Sequence, residues 1–139
     1  MSNKYLVTYT KYGHLIDQLV KQIQSTVFAD GWGLKYVYGI PKGGLPIAVH
    51  LAHHLGLYLI DNKPLFSEKI KTIGYRNILI VDDVADTGKT LEEYSMFTSA
   101  TLFYKKQSTV RPTYFVETTD KWIVFPWETL DEIPNRPGY

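Results

Sequence analysis

The stretch Val81-Asp82-Asp83-Val84-Ala85-Asp86-Thr87-Gly88-Lys89-Thr90 concentrates groups that can do chemistry. Two adjacent carboxylates are followed by a third, and a turn bearing hydroxyls, a glycine and a lysine comes directly after. These two sets cannot serve the same ligand atom. The acids suit neutral hydroxyls, a metal ion or a transferable proton. The turn suits an anion: N–H groups at a helix start are unsatisfied and carry positive partial charge, and glycine permits close approach. Gly88-Lys89-Thr90 ends like the P-loop of a nucleotide hydrolase, but that motif requires a glycine five positions earlier. This chain has Asp83 there, a carboxylate where phosphate would sit. Asp82 and Asp83 as mere turn caps would leave the rest of the string unexplained.

A second loop, Pro41-Lys42-Gly43-Gly44, also precedes a helical pattern. Paired glycines let backbone come close to a phosphate, and Lys42 adds a mobile positive charge. Further on, Phe103-Tyr104-Lys105 ends in a lysine able to donate to an exocyclic carbonyl. Trp122-Ile123 follows, with Trp122 lying 17 positions after Lys105. An indole face stacks on a base with about 1–3 kcal/mol in nucleic-acid complexes. The competing reading makes Trp122 a core or interface aromatic and Lys105 a solvated one. His50 and His54 share a helix face at zinc-compatible spacing, but position 51 is Leu, not the Glu of a metalloprotease helix. They read as polar-face or interface residues.

The elements that must hold these groups follow from periodicity. Lys11 to Phe28 carries Leu15, Ile16, Leu19, Val20, Ile23 and Val27, one stripe of a helix ended by Gly31 and Gly33. Leu34 to Ile40 is rich in strand formers. Leu45 to Leu55 reads as a buried helix closed by Gly56, and Leu57 to Ile60 as a short strand. Asp61 to Tyr75 has weak periodicity and reads as a long mobile loop. Within it, Glu68 to Tyr75 is either a water-excluding lid, with Lys69, Lys71 and Arg76 near an anion, or an ordinary surface hairpin. Ile78 to Val81 is a continuous apolar run, as expected of a parallel strand covered on both faces. Thr87 to Ser99 reads as a helix, Ala100 to Tyr104 and Thr113 to Val116 as strands, and the tail after Asp120 as irregular. Strand, loop and helix alternate, so the expected class is α/β with a mainly parallel sheet flanked by helices. Ligands of such sheets bind beyond the carboxyl ends of the strands.

Composition narrows the partners. The chain has 139 residues, 15 Lys+Arg against 14 Asp+Glu, and a formal net charge of +1. That balance argues against a nucleic-acid binder driven by bulk charge, without excluding a local phosphate site. There is no cysteine, so disulfides, thiolate metal sites and a cysteine nucleophile are excluded. No segment approaches the roughly 20 apolar residues of a membrane span. The expectation is one cytoplasmic domain. Its 11 tyrosines suit a packed core, a stacking surface or a subunit interface.

The run from Ile78 to Thr90 resembles the phosphoribosyl-diphosphate (PRPP) signature of the type I phosphoribosyltransferases. That signature has four apolar residues, two acids, a small or apolar pair, then acid-Thr-Gly-x-Thr. The resemblance implies that Asp82 and Asp83 bind ribose hydroxyls, directly or through a Mg2+ shell. It sets Asp86 by the imidazole edge of the base as general acid–base. Ala85, Asp86, Thr87, Gly88, Lys89 and Thr90 would wrap the 5′-phosphate. Pro41, Lys42, Gly43 and Gly44 are similar to the family's pyrophosphate loop, which implies a cis peptide between Pro41 and Lys42. The segment LFYKK…VRP…DKWIVFPWE resembles the tail of bacterial xanthine-guanine phosphoribosyltransferases. There Lys105 would meet the purine 6-oxo group, Trp122 would stack on the ring, and Ile123 would add backbone contacts. Lys42 stands where that subfamily has Arg, and residues 129–139 match less well.

The implied fold is a type I phosphoribosyltransferase-like single domain over residues 1–139. Residues from about 105 to 139 would form most of a small hood over the base. The implied activity is Mg2+-dependent transfer of phosphoribose from PRPP to a 6-oxopurine, by a homodimer or homotetramer without nucleic-acid or membrane partners. Two alternatives stay open: a PRPP-binding regulator without useful catalysis, and a transferase for a different base.

Overall fold

The structure is a computed structural model that describes residues 3–30 and 33–128. In chain order its elements are β1 (Lys4–Leu6), α1 (Tyr9–Asp30), β2 (Tyr36–Gly39), α2 (Gly44–Leu55), β3 (Tyr58–Ile60), α3 (Lys63–Ile73), β4 (Ile78–Val81), β5 (Val84–Ala85), α4 (Lys89–Glu92), β6 (Thr98–Ala100), β7 (Phe103–Tyr104), β8 (Glu117–Thr118) and β9 (Trp122–Val124). Three parallel sheets result, ordered β3-β2-β4-β6, β5-β7-β8 and β1-β9. The expected α/β class with helices flanking a parallel sheet is what the chain forms.

The central strand β4 shows why. All four of its residues are buried. Leu79 and Val81, with Val37 of β2, join Leu15, Leu19 and Ile23 of α1 and Ile47 and Leu51 of α2. Ile78 and Ile80, with Tyr38, join Ile60 and Phe66 on the opposite face. Alternate side chains of a strand point to opposite faces, so an unbroken apolar run needs cover on both sides.

Several sequence expectations are corrected. The segment 61–75 is not a loop, lid or hairpin: residues 63–73 form α3. Asn62 caps it by accepting from Leu65 N at 2.8 Å, Pro64 stands in its first turn, and Gly74 ends it at φ 76°. Only Phe66 of α3 is buried, stacked on Tyr38 with ring centroids 4.2 Å apart, so the apolar stripe was too thin to read. Lys69 lies over the Tyr36 ring at 5.1 Å. The expected helix at 87–99 shrinks to α4. Turns with Tyr94 N on Leu91 O and Phe97 N on Tyr94 O follow, as Tyr94 and Phe97 pack their rings near Phe66.

The expected strand 100–104 is divided into β6 and β7, with Thr101 Oγ1 bonded to Phe103 O at the break. Tyr114 makes only an isolated bridge to Ala100, and the next strand is β8 at 117–118. The tail is not irregular throughout: β9 pairs with β1 in the register Lys4↔Trp122. The expectations on Gly31 and on 129–139 lie outside the described residues.

Candidate functional site

β2 and β4 are paired so that Gly39 stands opposite Val81. The loop at 41–44 and the loop at 82–88 therefore leave neighbouring parallel strands at the same carboxyl end, where α/β sheets bind ligands. They pack closely. A Cβ on Gly43 would run into the Asp83 carboxylate, and one on Gly44 into Val81 O and the Asp82 Cα. These two glycines are what permits the loops to touch. The peptide between Pro41 and Lys42 is cis.

Asp82 and Asp83 occupy a junction between ladders. Before them β4 pairs with β6; after them β5 pairs with β7. Asp82 N donates to Ala100 O, while Leu102 N and Phe103 N donate to Asp83 O. The backbone is thus held on both sides while the carboxylates line the cleft. Asp82 Oδ1 accepts from Asp83 N at 2.9 Å, and Asp83 Oδ1 from Val84 N at 2.8 Å. Burial, followed by the like charge of Asp83, pushes the Asp82 carboxyl well above the carboxylate range. Burial also pushes Asp83 up.

The next turn is braced from outside. Lys105 N donates to Ala85 O and Thr109 N to Thr87 O, both at 2.9 Å. In a trans peptide the C=O and the following N–H point opposite ways. The N–H groups of Asp86 and Gly88 therefore point away from the 105–109 segment. Gly88 has φ 91°, and a Cβ there would strike Thr109 and Val110, so this turn requires glycine.

Three adjoining cavities meet at the three acids. A cleft of about 580 Å³ is lined by Pro41, Lys42, Gly43, Asp82, Asp83 and Glu128, among others. A cavity of about 230 Å³ is lined by Asp83, Asp86, Lys105, Trp122, Ile123 and Glu128, with Val84 and Phe125. A niche of about 60 Å³ is lined by Asp82, Ala85, Asp86, Thr87, Gly88 and Thr90, with Val84 and Leu91. Lys105 is buried, with Nζ 3.6 Å from Asp86 Oδ1. Trp122 is 42% exposed, leaving ring surface open at the second cavity. Of the residues that the resemblance assigns to the site, Gly44 and Lys89 line none of the three, and neither do His50, His54, Lys69, Lys71 and Arg76. Gly44 serves loop packing, and Lys89 is exposed.

Two residues went unassigned in the sequence. Glu128 borders both larger cavities, and its Oε1 accepts from Phe125 N at 2.8 Å. Gln107 Nε2 donates to Asp86 Oδ1 at 2.8 Å. Glu128 carried a signal, as the final residue of the DKWIVFPWE segment that resembles the xanthine-guanine transferase tail. Gln107 carried none.

The donor set fits a divalent cation in one way. Two raised carboxyls side by side are relieved by positive charge. Among the described residues no cluster of three or more His, Asp or Glu could enclose a metal by itself. One or two carboxylates completed by substrate oxygens is a donor set that a divalent cation can use.

Comparison with known proteins agrees with this geometry. The model of the phosphoribosyl transferase domain matches residues 8–133. A xanthine-guanine phosphoribosyltransferase of Cereibacter sphaeroides is 32% identical, over 71% of this chain and 72% of that protein. A xanthine-guanine phosphoribosyltransferase of Roseobacter denitrificans is 42% identical, over 66% and 67%. The crystal structure of a purine phosphoribosyltransferase from Pyrococcus horikoshii superposes with a TM-score of 0.73 at 28% identity, over 94% of this chain and 98% of that one. The Helicobacter pylori xanthine-guanine-hypoxanthine phosphoribosyltransferase gives 0.71 at 25% identity, over 90% and 94%. With a match spanning nearly the whole chain, a parallel sheet of the same kind and both loops at its carboxyl end, this chain belongs to the phosphoribosyl transferase domain family.

Proposed function

We propose that this chain is a purine phosphoribosyltransferase. It transfers phosphoribose from PRPP to N9 of a 6-oxopurine (guanine, xanthine or hypoxanthine), giving the nucleoside 5′-monophosphate and pyrophosphate. The observation that carries this reading is the meeting of three cavities at Asp82, Asp83 and Asp86. A diphosphate, a base and a 5′-phosphate branch from one ribose, and each of the three acids lines two of the three spaces.

Each residue then has a part. Asp82 and Asp83 hold the ribose hydroxyls. The Asp86–Thr90 turn, with Ala85, receives the 5′-phosphate on its N–H groups and hydroxyls. Lys42, with Pro41 and Gly43, faces the departing pyrophosphate, while Gly44 lets that loop pack against the end of β4. Trp122 stacks on the purine, Lys105 donates to its 6-oxo group, and Ile123 contacts it through backbone. In the reaction the C1′–O bond to pyrophosphate breaks and the C1′–N9 bond forms. Asp86 accepts the proton that leaves N7. Donors fixed in advance where negative charge accumulates stabilise the leaving group without reorganising. Asp82 and Asp83 are the residues that would hold Mg2+, directly or through water; the ion, when bound, supplies further positive charge to the diphosphate.

The reading includes a single domain over 1–139 in which residues from about 105 to 128 cap the base, aided by β1. It also includes a cytoplasmic setting and a homodimer or homotetramer, for which Tyr9, Tyr58, Leu59 and Met96 offer exposed apolar surface. Among the described residues no helix is long and apolar enough to cross a membrane.

Pyrophosphate release from PRPP should be assayed with guanine, xanthine, hypoxanthine, adenine and uracil. Turnover confined to the 6-oxopurines is expected. Tight PRPP binding without turnover on any base would make the chain a regulator, and turnover on adenine or uracil alone would assign a different acceptor.

A further inference from the structure

Asp86 is gripped by a residue from outside both motifs. Gln107 lies in the turn after β7, and its Nε2 reaches Asp86 Oδ1 at 2.8 Å. Backbone holds it there. Lys105 N is bonded to Ala85 O on one side of Gln107, Thr109 N to Thr87 O on the other, and Ser108 N closes the turn on Lys105 O. The segment carrying Gln107 is therefore tied at two points to the loop carrying Asp86.

Lys105 Nζ stands 3.6 Å from the same Oδ1, beyond good hydrogen-bond length. At that distance the ammonium adds charge beside the carboxylate but cannot fix its orientation by a directed hydrogen bond. A neutral amide can. It donates one directed hydrogen bond and adds no charge beside the acids. With Oδ1 engaged, rotation of the carboxylate is restricted and Oδ2 is left to take the proton.

We infer that Gln107 is a positioning residue for proton transfer: it holds Oδ1 of Asp86 and so aims Oδ2 at the imidazole nitrogen of the base. This rests on the reading of Asp86 as proton acceptor. Gln107 acts only through Asp86 and is exposed, so replacing it leaves the core untouched.

The test compares kcat and both KM values of the full chain with those of Gln107→Ala, Gln107→Glu, Asp86→Asn and the Asp86→Asn/Gln107→Ala double variant. A lost hydrogen bond to a charged group corresponds to about a tenfold or greater fall in rate. Gln107→Ala should lower kcat about tenfold while KM for PRPP stays within about twofold. Gln107→Glu keeps the shape but loses the donor and adds like charge, so it should fall below Gln107→Ala. A role in packing alone would reverse that order. In the Asp86→Asn background, Gln107→Ala should cost little more, because the two act as a unit.

Wild-type kcat in Gln107→Ala, additive losses in the double variant, or an effect confined to KM for PRPP would each overturn the inference. Full turnover in Asp86→Asn would instead remove the proton role of Asp86 itself. A deep loss there beside an unaffected Gln107→Ala removes only the role of Gln107.

Discussion

The two sides of the proposed site, one read as sugar-phosphate and the other as base, are built in different ways. The first is local. Asp82 to Thr90 follow one buried strand without interruption, and the chain around them is bonded at Ala100, Leu102, Phe103, Lys105 and Thr109. The second is assembled from distant segments. Lys105 comes from the end of β7 and Trp122 from β9, while β9 is held along one edge by β1, over a hundred residues away in sequence. Tyr5 OH and Lys11 Nζ reach across to the Glu117 carboxylate at 2.9 and 2.6 Å, tying β1 and the start of α1 to β8. A rigid local anion turn can serve any base, whereas an assembled base wall can change its choice without disturbing the phosphate half.

The comparison can be broken most sharply at Asp86, which borders both halves. Asp86→Asn should lower kcat about 10²–10⁴-fold, the usual worth of a general acid–base group, with KM for PRPP moving much less. Steady-state kinetics with both substrates varied would measure this. An equal rise in KM for PRPP would assign Asp86 to the sugar-phosphate half alone.

Trp122→Ala tests the base half by itself. Loss of one stacking face of about 1–3 kcal/mol should raise KM for the purine about 5- to 160-fold and leave PRPP binding, followed by calorimetry, unchanged. Trp122→Phe should recover most of the loss.

On the sugar-phosphate side, function and stability oppose each other. Burial and the charge of Asp83 raise the Asp82 carboxyl, so the folded chain binds that proton more tightly than the unfolded one. Stability from this group therefore falls as pH climbs from the ordinary carboxylate range through the raised value. Asp82→Asn should melt higher than the wild type at about pH 7, and the gap should close towards about pH 4. The same variant should bind PRPP more weakly. Thermal scans across pH would show it, and a lower melting temperature at neutral pH would contradict it.

The smallest effect is expected at Glu117. Partial burial pushes its carboxyl up, but the Lys11 and Tyr5 hydrogen bonds and the Lys11 charge outweigh that and leave it below the usual range. Its stabilisation is present above the ordinary carboxylate range and lost as pH falls through the lowered value. Glu117→Gln should cost about 0.2–1 kcal/mol near neutral pH, as a partly exposed ion pair does, with the cost fading in acid. Chemical denaturation at two pH values would detect it.

How far each part was legible follows from the same distinction. The strand 78–81, the turn after it and the 41–44 loop could be read from residue order, because each depends on neighbours within a few positions. The 61–75 segment was misread: α3 shows little apolar face of its own and packs mainly through Phe66 on Tyr38. The helix expected at 87–99 failed for a related reason. Tyr94 and Phe97 join that same aromatic group, and Thr98 and Ser99 are drawn into pairing with Leu79 and Ile80.

By itself the sequence determined that two anion-friendly loops would leave buried parallel strands, since apolar runs, paired glycines and adjacent acids are local facts. Only the folded chain decided that Lys105, Gln107, Trp122 and Glu128 would surround the same acids. Their partners are remote in sequence, and no spacing rule encodes a contact made by strand pairing, by ladder exchange at Asp82–Asp83 or by the docking of an N-terminal strand on a C-terminal one.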